Sequence, residues 1–342
     1  MPIPIIASIA FILGLAGLIW SANLFVSGSA STAKHLGMTP TMIGLTIVAF
    51  GTSAPEMIVS ADAAFEGIPN MGIGNAIGSN IANVGLVLGV TALIARIPIN
   101  VNHMRLEIPL LLGATVMAIA FLWNFQLSRT EGVMLLLSTV AVAVILVVHA
   151  RNTATNDPFG NQTEEEIPDL SGLKSAIWLL GGLITLLIFA DILVWSARML
   201  AEHFGVSPMI IGLTVVALGT SLPELAASIA STLKGHHDIA IGNIIGSNIL
   251  NILAVMALPG IIAPSTLDSA VLHRDLPVMA LLTFSLALII WIKARKYRSS
   301  IEQPQADEKA LSPSIGLMTG LFFLTCYIAY YAVIIFSSQG LS

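Results

Sequence analysis

The sequence predicts an all-α membrane protein, ten transmembrane helices arranged as two inverted five-helix repeats. Three observations carry that prediction. Of 342 residues, 56% are apolar and only 10% charged, against about 25% charged in an ordinary soluble domain. Ten apolar stretches occur, each long enough for a helix to cross the hydrocarbon core of a bilayer. A shift of 168 residues superposes the two halves of the chain without a gap.

The spans fall near 4–29, 41–64, 71–95, 106–124, 131–149, 174–200, 209–233, 239–263, 275–293 and 313–337. The first is followed by Ser27-Gly28-Ser29-Ala30, which resembles a small-residue cleavage region. It lacks a basic leading segment and has a counterpart inside the chain, so it reads as a retained span. Connections are short, with two exceptions. One lies near 150–173 and carries Glu164, Glu165, Glu166 and Asp169; the other lies near 294–312 and carries Arg295, Lys296, Arg298, Glu302, Asp307 and Glu308. Both read as solvated tethers. The expected organisation is a first repeat over 1–149, an acidic linker over 150–173 and a second repeat over 174–342.

Of the 14 Lys and Arg, only Arg129, Arg198 and Arg274 fall on one side of the ten-span arrangement, and the other 11 fall on the opposite side. The positive-inside rule puts the richer side, with 150–173 and 294–312, in the cytoplasm and both termini outside the plasma (inner) membrane. The one cysteine, Cys326, excludes an internal disulfide, a cysteine-based zinc site and an iron–sulfur cluster. A net charge of −5 with no basic run among aromatics leaves nucleic-acid binding without a basis.

Within the repeat, Gly44-Leu45-Thr46-Ile47-Val48-Ala49-Phe50-Gly51-Thr52-Ser53-Ala54-Pro55-Glu56 lands on Gly212-Leu213-Thr214-Val215-Val216-Ala217-Leu218-Gly219-Thr220-Ser221-Leu222-Pro223-Glu224. A second block, Gly74-Asn75-Ala76-Ile77-Gly78-Ser79-Asn80-Ile81-Ala82-Asn83, lands on Gly242-Asn243-Ile244-Ile245-Gly246-Ser247-Asn248-Ile249-Leu250-Asn251. Positions 44–83 match 212–251 at 21 of 40 places. The same shift pairs His35 with His203, Asn23 with Asp191 and Glu107 with Asp275, so each copy spans about five helices. An odd number of crossings turns the second copy upside down, the architecture of many secondary transporters.

Glu56 and Glu224 sit in the middle of apolar spans, where an ionised carboxylate costs a few kcal/mol or more unless it is paired or hydrated. Two such groups about a pseudo-two-fold axis make a cation site. Each follows a proline, Pro55 or Pro223, which removes a backbone donor and kinks the helix. The freed carbonyls join the hydroxyls of Thr52, Ser53, Thr220 and Ser221 as hard oxygen ligands. Ser79 and Asn83, and again Ser247 and Asn251, lie at i and i+4 on one helical face and supply the other wall. Gly74, Gly78, Gly242 and Gly246 allow a neighbouring helix to approach closely. An all-oxygen, flexible set suits Ca²⁺, whereas a transition metal prefers His or Cys.

These two repeated blocks resemble the alpha-repeats of the calcium/cation antiporter superfamily, specifically prokaryotic sodium/calcium exchangers. The resemblance is strongest over about 23–95 and 191–263. It implies ten helices in two inverted repeats, with spans two, three, seven and eight enclosing the ions. It implies that Glu56 and Glu224 are shared by Ca²⁺ and Na⁺, and that Thr52, Ser53, Thr220, Ser221, Ser79 and Ser247, with the carbonyls of Ala49 and Ala217, line sodium sites. Asn83 and Asn251 occupy the remaining wall. Some relatives carry an Asp at the position of Asn251, linked in potassium-dependent exchangers to K⁺ use, so K⁺ cotransport is not expected. The long regulatory loop of animal relatives is absent as well. By the same resemblance, spans one and six are expected to move relative to the motif helices.

Other ionisable groups read more plainly. Asp191 is a candidate for the ion path, or else a structural group that is hydrated or paired with Arg198 at i+7. Asp62 reads as a solvated helix end, His236, His237 and Asp238 as a loop, and Glu107 and Asp275 as helix-start carboxylates favoured by the macrodipole. The function expected is an antiporter, not an enzyme, exchanging Ca²⁺ for Na⁺ across the bilayer by alternating access, with no cofactor and no protein partner evident. H⁺/Ca²⁺ exchange on the same carboxylates is the close alternative. A passive cation channel is opposed by the paired helix breaks, and an intramembrane hydrolase by the lack of a nucleophile–base set or His pair.

Overall fold

A computed structural model describes residues 3–101, 104–154, 168, 170–206, 217–301 and 313–338, and these are nearly all helical. Backbone groups in lipid have no water to bond, so helices that satisfy their own N–H and C=O are the natural solution for spans this apolar. In chain order they are α1 (Ile3–Leu36), α2 (Pro40–Thr52), α3 (Ala54–Phe65), α4 (Pro69–Ile94), α5 (Met104–Leu122), α6 (Arg129–Ala154) and α7 (Gly172–His203). The second half continues with α8 (Ala217–Gly219), α9 (Leu222–Leu233), α10 (His237–Ile262), α11 (Leu276–Ile301, entered through a π-helical turn Val271–Asp275) and α12 (Leu317–Ser338). Among the described residues, eight helices are long and apolar enough to cross a membrane, or nine if α2 and α3, bent by 42° at their junction, form one broken span. The start of the predicted span 209–233, and most of the linker 150–173, lie outside the described residues.

The all-α expectation missed four two-residue strands. Ile97–Pro98 (β1) pairs antiparallel with Ser314–Ile315 (β4), and Gln126–Leu127 (β2) with Ser265–Thr266 (β3). They tie the chain leaving α4 to the chain entering α12, and the chain leaving α10 to the chain entering α6, where short connections would otherwise leave backbone groups unpaired.

Features recur at the 168-residue shift. The positive-φ glycines come as Gly37 (63°) with Gly205 (78°) and Gly67 (79°) with Gly235 (79°). Each follows a helix end, in the left-handed conformation that glycine adopts without steric cost. Burial sorts the helices: 72% of the apolar window of α4 and 83% of that of α10 is buried, against 17% for α6 and 22% for α12. The two helices that carry the asparagine blocks therefore form the centre, around a core that includes Ile77, Ile81, Ile245 and Ile249. α1 and α7 pack along each other on one flank, with a separate apolar cluster of Leu18, Phe25, Leu186 and Leu193. Their outer faces present Ile12, Ile19, Ile184 and Ile188 to lipid.

Candidate ion-binding site

The site begins at two helix breaks. Ser53 separates α2 from α3 with φ −84° and ψ 5°, and Ser221 precedes α9 with φ −88° and ψ 2°. Pro55 and Pro223 occupy the first turn after each break. Having no N–H, they cannot donate to the carbonyls of Gly51 and Gly219 four residues back, and a cap backbone N–H bonds the Gly51 carbonyl instead. Glu56 and Glu224 follow immediately, in the first turns of α3 and α9, near the positive ends of the helix dipoles. Both carboxylates have no solvent exposure at all.

Hydrogen bonds cross between the halves of the chain. Ser53 Oγ of the first half donates to Glu224 Oε1 of the second at 3.3 Å, while within the first half Ser79 Oγ donates to Glu56 Oε1 at 3.4 Å. Thr52 Oγ1 reaches Asn243 Oδ1 at 3.1 Å, Ser247 Oγ at 3.5 Å and the Ala49 carbonyl at 3.4 Å. The Ala49 carbonyl also accepts the Ser53 N–H at 3.0 Å, and Ala217 opens α8. Of the predicted hydroxyls, those of Ser53 and Ser79 bond the carboxylates, while that of Thr52 bonds Asn243 and Ser247.

What remains is a set of buried oxygens and amides facing no protein group. Glu56 Oε2, Glu224 Oε2, Ser221 Oγ and both amide atoms of Asn83 and of Asn251 are buried without a partner among the described residues. Such groups in a protein interior are costly unless a ligand or water meets them. Asn83 and Asn251 each open a π-helical turn, Asn83–Leu88 and Asn251–Val255, at matching positions of the repeat. Short π insertions in α-helices are frequent at functional sites because they re-aim side chains and loosen the backbone ladder.

Close helix crossing sets the walls. A Cβ on Gly242 would lie 2.6 Å from the Thr41 carbonyl oxygen, and one on Gly246 2.6 Å from that of Leu45, so α10 rests directly on the backbone of α2. Gly74 and Gly78 have no atom of the described residues within such reach.

The sequence reading missed a second pair of asparagines. Asn75 Nδ2 donates to the Glu56 carbonyl at 3.2 Å and to Ser60 Oγ at 3.1 Å, while Asn243 Nδ2 donates to the Glu224 carbonyl at 3.5 Å and to Ser228 Oγ at 3.1 Å. Each therefore anchors the backbone of one glutamate from the adjacent helix. The signal was present: Asn75 and Asn243, and Ser60 and Ser228, are identical under the 168-residue shift.

Several other expectations change. Asp191 is exposed on α7 and does not join the buried cluster, and Arg198 bonds Glu202 at 2.9 Å instead. Asp62 is exposed as expected. His236 lies in the turn before α10 as expected but is 1% exposed, whereas His237 and Asp238, expected in the same loop, form the first turn of α10. Burial, with Lys234 and His237 nearby, lowers the His236 pKa to about 4. Glu107 and Asp275 are not simple helix caps. Glu107 is buried with Oε2 unpartnered among the described residues, and Asp275 is held by Arg274 at 2.7 Å and by the Tyr330 hydroxyl at 3.0 Å.

Chemically, the cluster offers carboxylate, hydroxyl, amide and carbonyl oxygens. No group of three His, Cys, Asp or Glu able to hold a metal occurs among the described residues. An oxygen cage with two carboxylates fits hard cations and disfavours soft or imidazole-preferring metals. Comparison with known proteins now decides the family. Residues 6–148 and 174–336 match the family described as sodium/calcium exchanger protein.

The chain belongs to the sodium/calcium exchanger family.

It is 45% identical over 286 residues to the CaxA protein of Alkalimonas amylolytica, covering 83% of this chain and 90% of that one. It is 32% identical over 317 residues to the sodium/calcium exchanger MaX1 of Methanosarcina acetivorans, covering 82% and 89%. The fold is that of the sodium-calcium exchanger NCX_Mj, with a TM-score of 0.77 at 31% identity, covering 96% of this chain and 99% of the other. A more distant relative is the Ca²⁺/H⁺ antiporter ChaA of Bacillus subtilis, 26% identical over 284 residues, 78% of this chain and 80% of that one. The protein is accordingly a multi-pass membrane protein of an ion-exchanger family.

Proposed function

We propose that the chain is a secondary active antiporter of the plasma membrane that exchanges Ca²⁺ for Na⁺ at one central site built around Glu56 and Glu224. The observation that carries this reading is the fully buried pair of carboxylates, one from each half of the chain, each with one oxygen bonded to a serine and the other without a protein partner among the described residues. Two carboxylates neutralise one Ca²⁺. Two Na⁺ balance the same charge and a third leaves one net positive charge, the ions being spread over the hydroxyls of Thr52, Ser53, Ser79, Thr220, Ser221 and Ser247 and the carbonyls of Ala49 and Ala217. Because both ions need the same two groups, occupancy is exclusive, and exclusive occupancy is what couples the two fluxes.

The repeated breaks and the paired glycine conformations support two inverted repeats, 1–149 and 174–342, joined by 150–173, with Asn83 and Asn251 completing the ion cage. Alternating access then follows from rocking one group of helices against the other. The family resemblance makes α1 and α7 the mobile group; a second apolar cluster joins them to α2, α9 and α10. With two carboxylates in the site, one Ca²⁺ crosses as a neutral unit while three Na⁺ carry one net charge, worth about 2.3 kcal/mol per 100 mV.

The test is Ca²⁺ uptake into proteoliposomes loaded with Na⁺ and diluted into Na⁺-free buffer, with pH and voltage clamped, beside Glu56→Gln and Glu224→Gln. Uptake that requires internal Na⁺ and is lost in both variants is the expected result. H⁺/Ca²⁺ exchange on the same carboxylates is the second reading, favoured by the likeness to ChaA; uptake driven by a proton gradient without Na⁺ would establish it. Flux needing no counter-ion would make the protein a channel.

A further inference from the structure

Between α5 and α11, on the face turned to the bilayer and far from the asparagine blocks in sequence, lies a cleft of about 470 Å³ whose walls include Ile108, Leu112, Phe284 and Leu288. One end is charged. Arg105, in the first turn of α5, and Arg298, near the end of α11, line it, both exposed and in no ion pair among the described residues. Trp291, also lining the cleft, is 57% exposed, with the Arg295 guanidinium 5.5 Å from its ring. An exposed tryptophan beside arginines marks the headgroup level of a membrane protein. The apolar floor below it then lies at acyl-chain depth.

We infer that this cleft binds one anionic phospholipid, its acyl chain along Leu112 and Phe284 and its phosphate between Arg105 and Arg298. The occupant is fixed by two requirements that only such a lipid meets together. The apolar walls open towards lipid, so an acyl chain fills them without losing water. Two guanidinium groups at the rim, in no ion pair among the described residues, match a phosphate that carries net negative charge, whereas a zwitterionic headgroup brings its own ammonium and gains less from them. The positive-inside count puts the same rim at the cytoplasmic leaflet.

The test uses Trp291 as the reporter. The full-length protein is reconstituted into phosphatidylcholine bilayers with rising fractions of phosphatidylglycerol whose acyl chains are brominated, and the quenching is taken as the difference between the protein and Trp291→Phe. Half-maximal quenching is expected at a mole fraction about tenfold lower for brominated phosphatidylglycerol than for brominated phosphatidylcholine. The preference disappears in Arg105→Gln/Arg298→Gln and survives in Arg105→Lys/Arg298→Lys. Excess inorganic phosphate leaves the quenching unchanged, because the acyl chain anchors the ligand. Equal quenching by both lipids would mean that bulk lipid fills the cleft and would overturn the proposal. Displacement by inorganic phosphate would overturn it too, by making the rim a soluble-anion site.

Discussion

Gly246→Ala is the sharpest test of how the ion cage is walled. The added methyl would sit 2.6 Å from the Leu45 carbonyl oxygen, 2.8 Å from the Leu45 Cα and 2.8 Å from the Ala49 Cβ. The first two are backbone atoms that cannot swing aside, so α10 must lift from α2 by the better part of an ångström. Overpacking of this kind costs about 1–3 kcal/mol, a drop of roughly 2–10 °C in Tm for a chain of this size. The same shift moves Ser247 away from Thr52, now 3.5 Å apart, and with it one wall of the proposed site. Thermal unfolding in detergent and Na⁺-driven Ca²⁺ uptake in proteoliposomes read the two effects, and uptake is expected to fall at least tenfold, in line with that energy. Gly113→Ala is the control: no described atom lies within 4 Å of its added Cβ, and alanine is the better helix former. A Gly246→Ala protein with unchanged Tm and uptake would refute the close crossing and the wall it builds.

Other perturbations separate the roles further. Pro223→Ala returns an N–H to the Gly219 carbonyl and allows α8 to run on into α9; Tm should hold or rise while exchange slows at least tenfold, as measured by uptake kinetics. Ser53→Ala removes the hydroxyl that reaches Glu224 across the two halves, and Ca²⁺ binding by isothermal titration should weaken roughly tenfold or more, the scale of a hydrogen bond to a charged group. His236, buried and neutral with a pKa near 4, should make stability pH-dependent on the acid side. The unfolded chain binds its proton below about pH 6.5 and the folded chain does not, so stability falls from there down to about pH 4 at roughly 1 kcal/mol per pH unit. Tm against pH should show this slope, and His236→Gln should flatten it.

Much of this was readable from residues alone, for physical reasons that can be named. Apolar length marks spans because lipid tolerates little else, and Pro55 and Pro223 mark the breaks because proline cannot donate. The carboxylates stood out because Glu56 and Glu224 are ionisable groups deep in apolar helices, repeated at one spacing. Hydrogen-bond partners were harder. Asn75 and Asn243 supply no ligand atom to the obvious cage; they hold the glutamate carbonyls, a role visible only once neighbouring helices are placed side by side. The π-helical turns at Asn83 and Asn251 leave no trace in a 3.6-residue apolar pattern, since their sequences, Asn-Val-Gly-Leu-Val-Leu and Asn-Ile-Leu-Ala-Val, suit an ordinary helix. That the turn residue His236 is covered, and that His237 and Asp238 already belong to α10, shows only in packing, because a charged turn and a buried helix start look alike in one dimension. Of the readings of Asp191, the ion-path one was suggested by its depth within a span, but it lies on a helix face that the described residues leave exposed.

The central claim is that one buried pair of carboxylates holds either Ca²⁺ or Na⁺ but not both. Equilibrium binding of radioactive Ca²⁺ to the detergent-solubilised protein, titrated with Na⁺ against a choline control, tests it directly. The account predicts one Ca²⁺ per chain, cooperative and complete displacement by Na⁺, and loss of binding in both Glu56→Gln and Glu224→Gln. Ca²⁺ that stays bound at saturating Na⁺, or that binds normally when either glutamate is replaced, would contradict it.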